Sequence, residues 1–380
     1  MQRSTQRILT THTGSLPRPQ DLITLLTAKE QGQKYDTVAF ADWVRSATME
    51  IVHQQVACGV DVVNDGETGK IGYSTYVTER LTGFEGSASP LAIADLTDFP
   101  TYAERLFRGT AIETMSRPAC TGPIKYKNAS AVESDIATLR TALNGTNVTE
   151  AFMSAASPGV ISLFLKNDHY PSHEAYLAAL ADAMKHEYNA IHHAGLILQV
   201  DCPDLAMGRH IQFADDSIAE FRRKVELHVE ALNQALADIP ADRVRLHLCW
   251  GNYEGPHHRD VPLGDIIDVV AKARVTGISF EAANPRHAHE WRVFQDFKLP
   301  ADKVAIPGVL DSTTNYIEHP ELIAERLCKF AEVVGRENVI AGTDCGFATF
   351  AGFMPVDPQI TWAKFQAMAE GARIASQRLW

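Results

Sequence analysis

The chain has 380 residues, 45% of them hydrophobic and 22% charged, with a formal net charge of −12. That composition lies in the ordinary globular range and can bury a sizeable core. The acidic balance, with no run of Lys and Arg, argues against a nucleic-acid partner, whose phosphates need clustered cations.

The N-terminal stretch MQRSTQRILTTHTGSLPRPQ has no apolar run of the ~7–15 residues of a signal peptide. No window reaches the ~18 apolar residues of a membrane span. A cytoplasmic protein with no membrane association is therefore expected, its six cysteines reduced rather than paired.

From there on, short apolar runs ending in polar or glycine-rich residues alternate with helical patterns. RILTTHTGS (7–15) leads to a helix around 37–58, and GVDVVNDGE (59–67) follows it. Residues 69–117 break the rhythm and read as an insertion after the second strand. RPACTGPIKY (117–126) precedes a helix at about 132–143, EAFMSAASPG (150–159) one at 172–194, and GLILQVDCPD (195–204) one at 217–237. RVRLHLCWGN (243–252) precedes a helix at about 263–274, and GISFEAANP (277–285) precedes HAHEWRVFQDF. VAIPGVLDS (304–312) precedes a helix at 320–334, and NVIAGTDCGF (338–347) precedes one at about 360–378.

Such alternation implies parallel pairing through right-handed crossovers. Nine runs qualify as strands where a barrel needs eight, and EAFMSAASPG is the weakest. A doubly wound open sheet would gather its unusual residues at one switch point. Here nearly every strand ends in a polar tag, and in a barrel such ends converge on one mouth. The expected fold is therefore α/β: one (β/α)8 barrel domain over residues 1–380, with an N-terminal extension and the insertion at about 69–117. No GxGxxG or GxxxxGK[ST] phosphate loop is present.

Residues i and i+2 of a strand share a face, so His247 and Cys249 project together at the expected mouth. Glu281 and Cys345 stand at equivalent places on later strands. Imidazole, thiolates and a carboxylate together suit zinc. The residues alone also permit a packed histidine and thiol, or a metal-free barrel using Cys249 as nucleophile.

THTGSLPRP, NDGE, CTGPI, LQVDCPD, HLCWGN, FEAANPRHAHEW, PGVLDS and AGTDCGF, in that order, resemble the landmarks of the catalytic barrel of the cobalamin-independent methionine synthase superfamily. The resemblance spans roughly residues 7–378. The wording of CWGNYEGPH, SFEAANPRHAHEWRV and VIAGTDCGF is closest to a short single-barrel branch that includes the epoxyalkane:coenzyme M transferases. What the resemblance implies is a zinc enzyme with His247, Cys249, Glu281 and Cys345 as ligands, and Ser15, Glu67 and Asp201 holding the amino-acid end of a homocysteine-like thiol. The implied reaction is methyl or alkyl transfer to that small thiol through a zinc-bound thiolate, from a folate-type donor. The alternative is addition of a coenzyme M-like thiol to an epoxide; the non-enzymatic alternative is a zinc-stabilised binding protein.

A general acid is expected near Asp311, although no histidine follows it in GVLDSTTNY. Tyr253 and His257, just past the zinc strand, are expected at the mouth or directly behind the reacting groups. A sulfonate would call on Arg18, Lys70, Lys125, Lys127 or Arg209. The segment 348–360 reads equally well as a lid or as a packed connection. A homodimer is a common state for a barrel of this size.

Overall fold

The computed structural model describes residues 1–88, 91–107 and 117–380, so the expected insertion lies partly outside the described residues. Its main sheet contains β1 (Leu9–Thr10), β2 (Val62–Val63), β5 (Glu150–Ala156), β6 (Ile197–Asp201), β7 (Val244–Leu248), β8 (Gly277–Phe280), β9 (Val304–Leu310) and β10 (Ile340–Thr343). The order is β1-β10-β9-β8-β7-β6-β5-β2, every pairing parallel. Asp61 and Thr11 bridge the remaining seam between β1 and β2. The Asp61 amide donates to the Thr10 carbonyl at 3.1 Å, the Thr10 amide to Asp61 Oδ2 at 2.9 Å, and Thr11 Oγ1 to the Val62 carbonyl at 3.0 Å. The result is a nearly closed eight-stranded barrel with helices between its strands, as expected.

The identity of one strand differs from expectation. EAFMSAA forms β5, seven residues long and paired with β2 on one side and β6 on the other. Its small side chains suit its place: Ser154 Oγ would lie only 2.7 Å from a β-carbon at Gly14 across the interior. Ala119–Cys120 of RPACTGPIKY is instead β4, paired antiparallel with β3 (Phe84–Glu85) outside the barrel. Pro118 and Pro123 flank it, and proline cannot donate to a ladder.

The crossover helices carry their expected signals. Asp36 accepts from the amides of Val38 and Ala39 at the start of Thr37–Ala57, and Ser217 with Glu220 forms a capping box on Ile218–Ala235. The helix expected near 263–274 is reduced to a 3-10 turn, Leu263–Asp265, and the short α-turn Ile267–Val270. No helix among the described residues is long and apolar enough to cross a membrane.

The N-terminal end of the barrel is sealed by apolar side chains, with Met1 packed against clusters containing Leu9, Val304, Ile306 and Ile340, and Val62, Phe152 and Ile197. Above this seal the interior turns polar. Arg245, fully buried on β7, donates to Gln199 Oε1 at 2.9 Å, to Thr11 Oγ1 at 2.9 Å and to the His12 carbonyl at 2.7 Å. Its guanidinium lies 3.6 Å from the Phe152 ring centre, and burial lowers its pKa to about 9. Hydrogen bonds therefore compensate a charge placed beneath the C-terminal mouth.

Candidate metal and thiol site

A cavity of about 330 Å³ opens at the C-terminal ends of the strands, where barrel sites are built. His247 lies on β7, and Cys249 follows it on the same face. Cys345 follows β10, and its thiol donates to Cys249 Sγ at 3.1 Å. The donor atoms of His247, Cys249 and Cys345 all lie within 4.8 Å of one another, and all three residues are buried. Nδ1 of His247 has no hydrogen-bond partner among the described residues, and burial lowers the imidazole pKa to about 3, which keeps it neutral. A neutral imidazole and two sulfurs crowded into one buried spot form a donor set that fits a metal ion.

Glu281 stands slightly apart. Its Oε1 is 3.7 Å from Cys345 Sγ but accepts from the Trp250 amide at 2.7 Å, and Oε2 accepts from Asn284 Nδ2 at 2.7 Å. Both carboxylate oxygens are thus engaged by nitrogen donors within the protein.

The expected thiol-holding residues reach the same cavity. Ser15, Glu67 and Asp201 line it with His247, Cys249 and Cys345. Strand register places Asp201 directly beside His247. Glu67 ends a tight turn in which Gly66 (φ 65°) is followed by Glu67 itself at φ 56°, a conformation uncommon for any residue but glycine. Arg18 supports it by donating to the Glu67 carbonyl, and to that of Ala348, each at 2.7 Å. At Gly14 a β-carbon would lie 2.5 Å from Glu67 Oε1, so glycine there admits the carboxylate. Among the described residues, Oε2 of Glu67 is buried without a partner. Burial raises the pKa of both carboxyls, Lys70 and Arg18 oppose the rise at Glu67, and the neighbouring Glu67 charge pushes Asp201 further up.

Of three further expected positions, Asp311 falls elsewhere, while Tyr253 lines the cavity and His257 lies directly behind it. Asp311 does not line the cavity; its carboxylate accepts from Thr313 N and Oγ1 and from Thr314 Oγ1, closing its own turn. Its neighbour Ser312 makes the connection instead, accepting from the Cys345 amide at 3.1 Å and donating to Asn252 Oδ1 at 2.8 Å. Tyr253 lines the cavity and its hydroxyl donates to Asp95 Oδ2 at 2.7 Å. His257 stacks behind that ring at 4.5 Å. The segment 348–360 is packed: the Tyr73 amide donates to the Thr349 carbonyl and the Ala351 amide to that of Ile71.

The cations weighed for a sulfonate are occupied with carbonyls or lie away from the cavity wall. Lys70 donates to Ser154 O at 2.6 Å, Lys127 to Thr78 O, and Arg209 to Phe213 O and Ala214 O. Lys125 is exposed.

Sequence reasoning missed Asp344. It accepts from the amides of Ala282, Ala283 and Asn284, each at 2.8 Å, and from Asn284 Nδ2 at 3.1 Å. It thereby clamps the turn bearing Glu281 to the strand end bearing Cys345. Its position beside a candidate ligand in TDCGF was the only available signal.

Behind the site, Asp260 Oδ2 lies 3.0 Å from both His257 Nδ1 and His287 Nε2, and His287 Nδ1 is 2.8 Å from Glu290 Oε2. Burial alone would lower both imidazoles. The hydrogen bonds and charges of Asp260 and Glu290 outweigh it, raising His257 to about 9 and His287 to about 10. Both exceed the ~6.5 of an unfolded histidine. The pair therefore contributes stability that is complete below about pH 6.5 and is lost as the pH rises through the folded values. The thermal midpoint is expected to fall between pH 7 and 10, with a shallower fall in Asp260→Asn; a midpoint that rises across this window would contradict the assignment.

Residues 8–356 match the family model described as cobalamin-independent synthase, catalytic domain. Methionine synthase of Thermococcus kodakarensis is 24% identical over 371 residues, covering 96% of this chain and 93% of that protein. The 2-hydroxypropyl-CoM lyase of Xanthobacter autotrophicus is 22% identical over 365 residues, covering 88% and 86%. In fold, the chain resembles a B12-independent methionine synthase from Shewanella sp. W3-18-1 in complex with selenomethionine, with a TM-score of 0.75, 21% identity, and 98% and 99% of the two chains covered.

Proposed function

Because the chain belongs to the cobalamin-independent synthase catalytic-domain family, we propose that it transfers a methyl or alkyl group to a small amino-acid thiol of homocysteine type. The observation that carries this reading is the meeting, in one cavity, of a His–Cys–Cys donor cluster with a buried carboxylate pair. We assign His247, Cys249 and Cys345 as zinc ligands, with Glu281 as the exchangeable fourth. A zinc ion held there would supply acidification of the substrate thiol, whose own pKa of ~8.5 leaves it mostly protonated near pH 7.

The chain's own residues do the rest. Glu67 and Asp201 receive the substrate ammonium, whose charge offsets the burial that raises both pKa values and the Glu67 charge that pushes Asp201 further up. Ser15 lies between them and the Cys345 loop: a β-carbon at Gly346 would come within 2.1 Å of Ser15 Oγ. Arg18 holds the Glu67 backbone, so the carboxylate is oriented before the substrate arrives. The trap fixes the far end of the thiol and directs its sulfur toward the cluster.

Addition of a coenzyme M-like thiol to an epoxide is the second reading, favoured by the lyase relative. A sulfonate would meet two carboxylates at this position, which favours the amino-acid thiol. Titration of zinc-loaded protein with L-homocysteine and with coenzyme M separates the two. Heat and proton release with homocysteine alone are expected; a response to coenzyme M alone reverses the assignment. Glu67→Gln removes one charge-assisted contact, typically ~1.5–3 kcal/mol. It is expected to raise the homocysteine KM roughly ten- to hundredfold with a smaller change in kcat, and an unchanged KM would remove Glu67 from the thiol site.

A further inference from the structure

When a thiolate takes a carbon from oxygen or nitrogen, the bonding pair stays on that atom, which must then gain a proton. Asp311, the expected source, closes its own turn. Histidine, cysteine, lysine, tyrosine and the carboxylic acids are the side chains that commonly deliver protons. Among the described residues lining the cavity, nearly all of these types are committed. His247, Cys249 and Cys345 form the donor cluster, and Glu67 and Asp201 are assigned to the ammonium. The Tyr253 hydroxyl donates to Asp95 Oδ2. Arg117 also lines the wall, but it donates to the Phe164 carbonyl at 3.3 and 2.8 Å, and a guanidinium holds its proton near neutral pH.

Tyr73 is the exception. Its hydroxyl has no hydrogen-bond partner among the described residues, and the residue is half-buried on the wall of the cavity that holds the cluster. Three contacts fix the ring. The Tyr73 amide donates to the Thr349 carbonyl at 3.2 Å, in the segment that follows Cys345. Gly72 forms a bridge with Phe350, and a β-carbon at Gly72 would fall 2.4 Å from the Phe350 ring, so glycine lets the two segments close. The Tyr73 ring then meets Phe350 at 5.5 Å and Phe164 at 5.8 Å, edge to face with the latter. Burial raises the phenol pKa well above its usual value, and the charges of Cys249, Asp201 and Cys345 add to the rise. The hydroxyl therefore keeps its proton through the neutral range, within electrostatic reach of the donor cluster.

We propose that Tyr73 is the proton donor to the leaving atom of the alkyl donor, a role that rests on the thiol-alkylation reading of the same cavity. The substrate thiol gives its proton to water as it binds in the thiolate form. Its sulfur then bonds to the carbon as the carbon–oxygen or carbon–nitrogen bond breaks. The bonding pair stays on the leaving atom, which takes the Tyr73 proton, and the tyrosinate recovers one from water. One proton goes to water and one returns, so thiol and donor become thioether and protonated leaving group. The role asks nothing of the rest of the donor, because the hydroxyl meets only the atom that leaves.

Tyr73→Phe keeps the ring and removes only the oxygen. Zinc-loaded wild type and variant are saturated with L-homocysteine, and thioether formation in a single turnover is followed with two small probes. Ethylene oxide opens to an alkoxide that needs a proton; methyl iodide releases iodide, which needs none. The ratio of the ethylene oxide rate to the methyl iodide rate is expected to fall about a hundredfold to ten-thousandfold in the variant, the usual worth of a positioned acid. In heavy water the wild type should be slowed with ethylene oxide and scarcely with methyl iodide. An equilibrium measurement needs no turnover. S-hydroxyethyl-L-homocysteine should bind about tenfold more weakly to the variant, the worth of one hydrogen bond, whereas S-propyl-L-homocysteine, with methyl in place of hydroxyl, should bind both proteins alike. Equal rate ratios in two proteins that bind homocysteine equally overturn the proposal and leave the thiol reading standing. If the variant does not fold, the absence of a solvent isotope effect on ethylene oxide opening by the wild type overturns it in the same way. Failure of the wild type to bind homocysteine overturns both.

Discussion

Cys249→Ser is expected to strip the protein of its metal and to lower thiol alkylation about a thousandfold or more. The cluster offers one imidazole and two sulfurs, and an alcohol cannot replace a thiolate as a ligand near neutral pH. At Cys249 the hydrogen bond from Cys345 favours the thiolate, but burial and Glu281 outweigh it and its pKa is raised. Burial pushes Cys345 well above its usual value. Both thiols are therefore protonated without the ion, and metal loading should release protons and strengthen with pH. Without the metal, only a few per cent of a substrate thiol with pKa ~8.5 is ionised at pH 7, and its orientation is lost as well. Elemental analysis and turnover of the purified variant provide the check. Stoichiometric metal retained in Cys249→Ser would refute the ligand set.

The second large effect is expected at a positioning residue. Asp344→Ala leaves three backbone donors, those of Ala282 and Ala283 buried and that of Asn284 half-buried, without their acceptor, and leaves Asn284 Nδ2 with Glu281 alone. Each unsatisfied buried group costs ~1–3 kcal/mol, so a loss of about 3 kcal/mol or more in urea unfolding is expected. The site should suffer separately from the fold. Asn284 Nδ2 bridges Asp344 and Glu281, so the turn that presents Glu281 loosens toward Cys345. Metal affinity, read by competition with a chromogenic chelator, should therefore fall even where the variant remains folded. Asp344→Asn keeps one acceptor oxygen and is expected to lie between the wild type and alanine in both readouts. Wild-type stability and metal affinity in Asp344→Ala would show the clamp to be unimportant.

The candidate donors were legible for simple geometric reasons. A period of two puts His247 and Cys249 on one face, and polar residues ending successive parallel strands must converge if the sheet closes. What misled was composition. EAFMSAA is rich in small residues of weak strand preference, yet β5 is buried on both sides and its fitness depends on neighbours no local rule contains. ACTGPI looked like a strand and formed one, but its partner is Phe84–Glu85 in the excursion rather than the barrel. Asp311 carries the ionisable group that the segment shows, yet it is its neighbour Ser312 whose hydroxyl meets the Cys345 amide.

The sequence by itself determined the periodicity, the strand-end tags and the residue types able to hold a soft metal, because these follow from neighbours a few positions apart. Only the tertiary structure decided which carboxylates are spent and which are open. Glu281 has both oxygens engaged, Asp311 closes its own turn, and Glu67 keeps one buried oxygen unpartnered among the described residues. It also decided that Arg18 and Lys70 serve backbone carbonyls instead of a ligand, and that Tyr73, Phe164 and Phe350 meet in one wall. The physical reason is the same in each case: a side chain's partner is set by distance in space and by the cost of leaving a buried polar atom unpaired, and both depend on contacts between residues far apart in the chain.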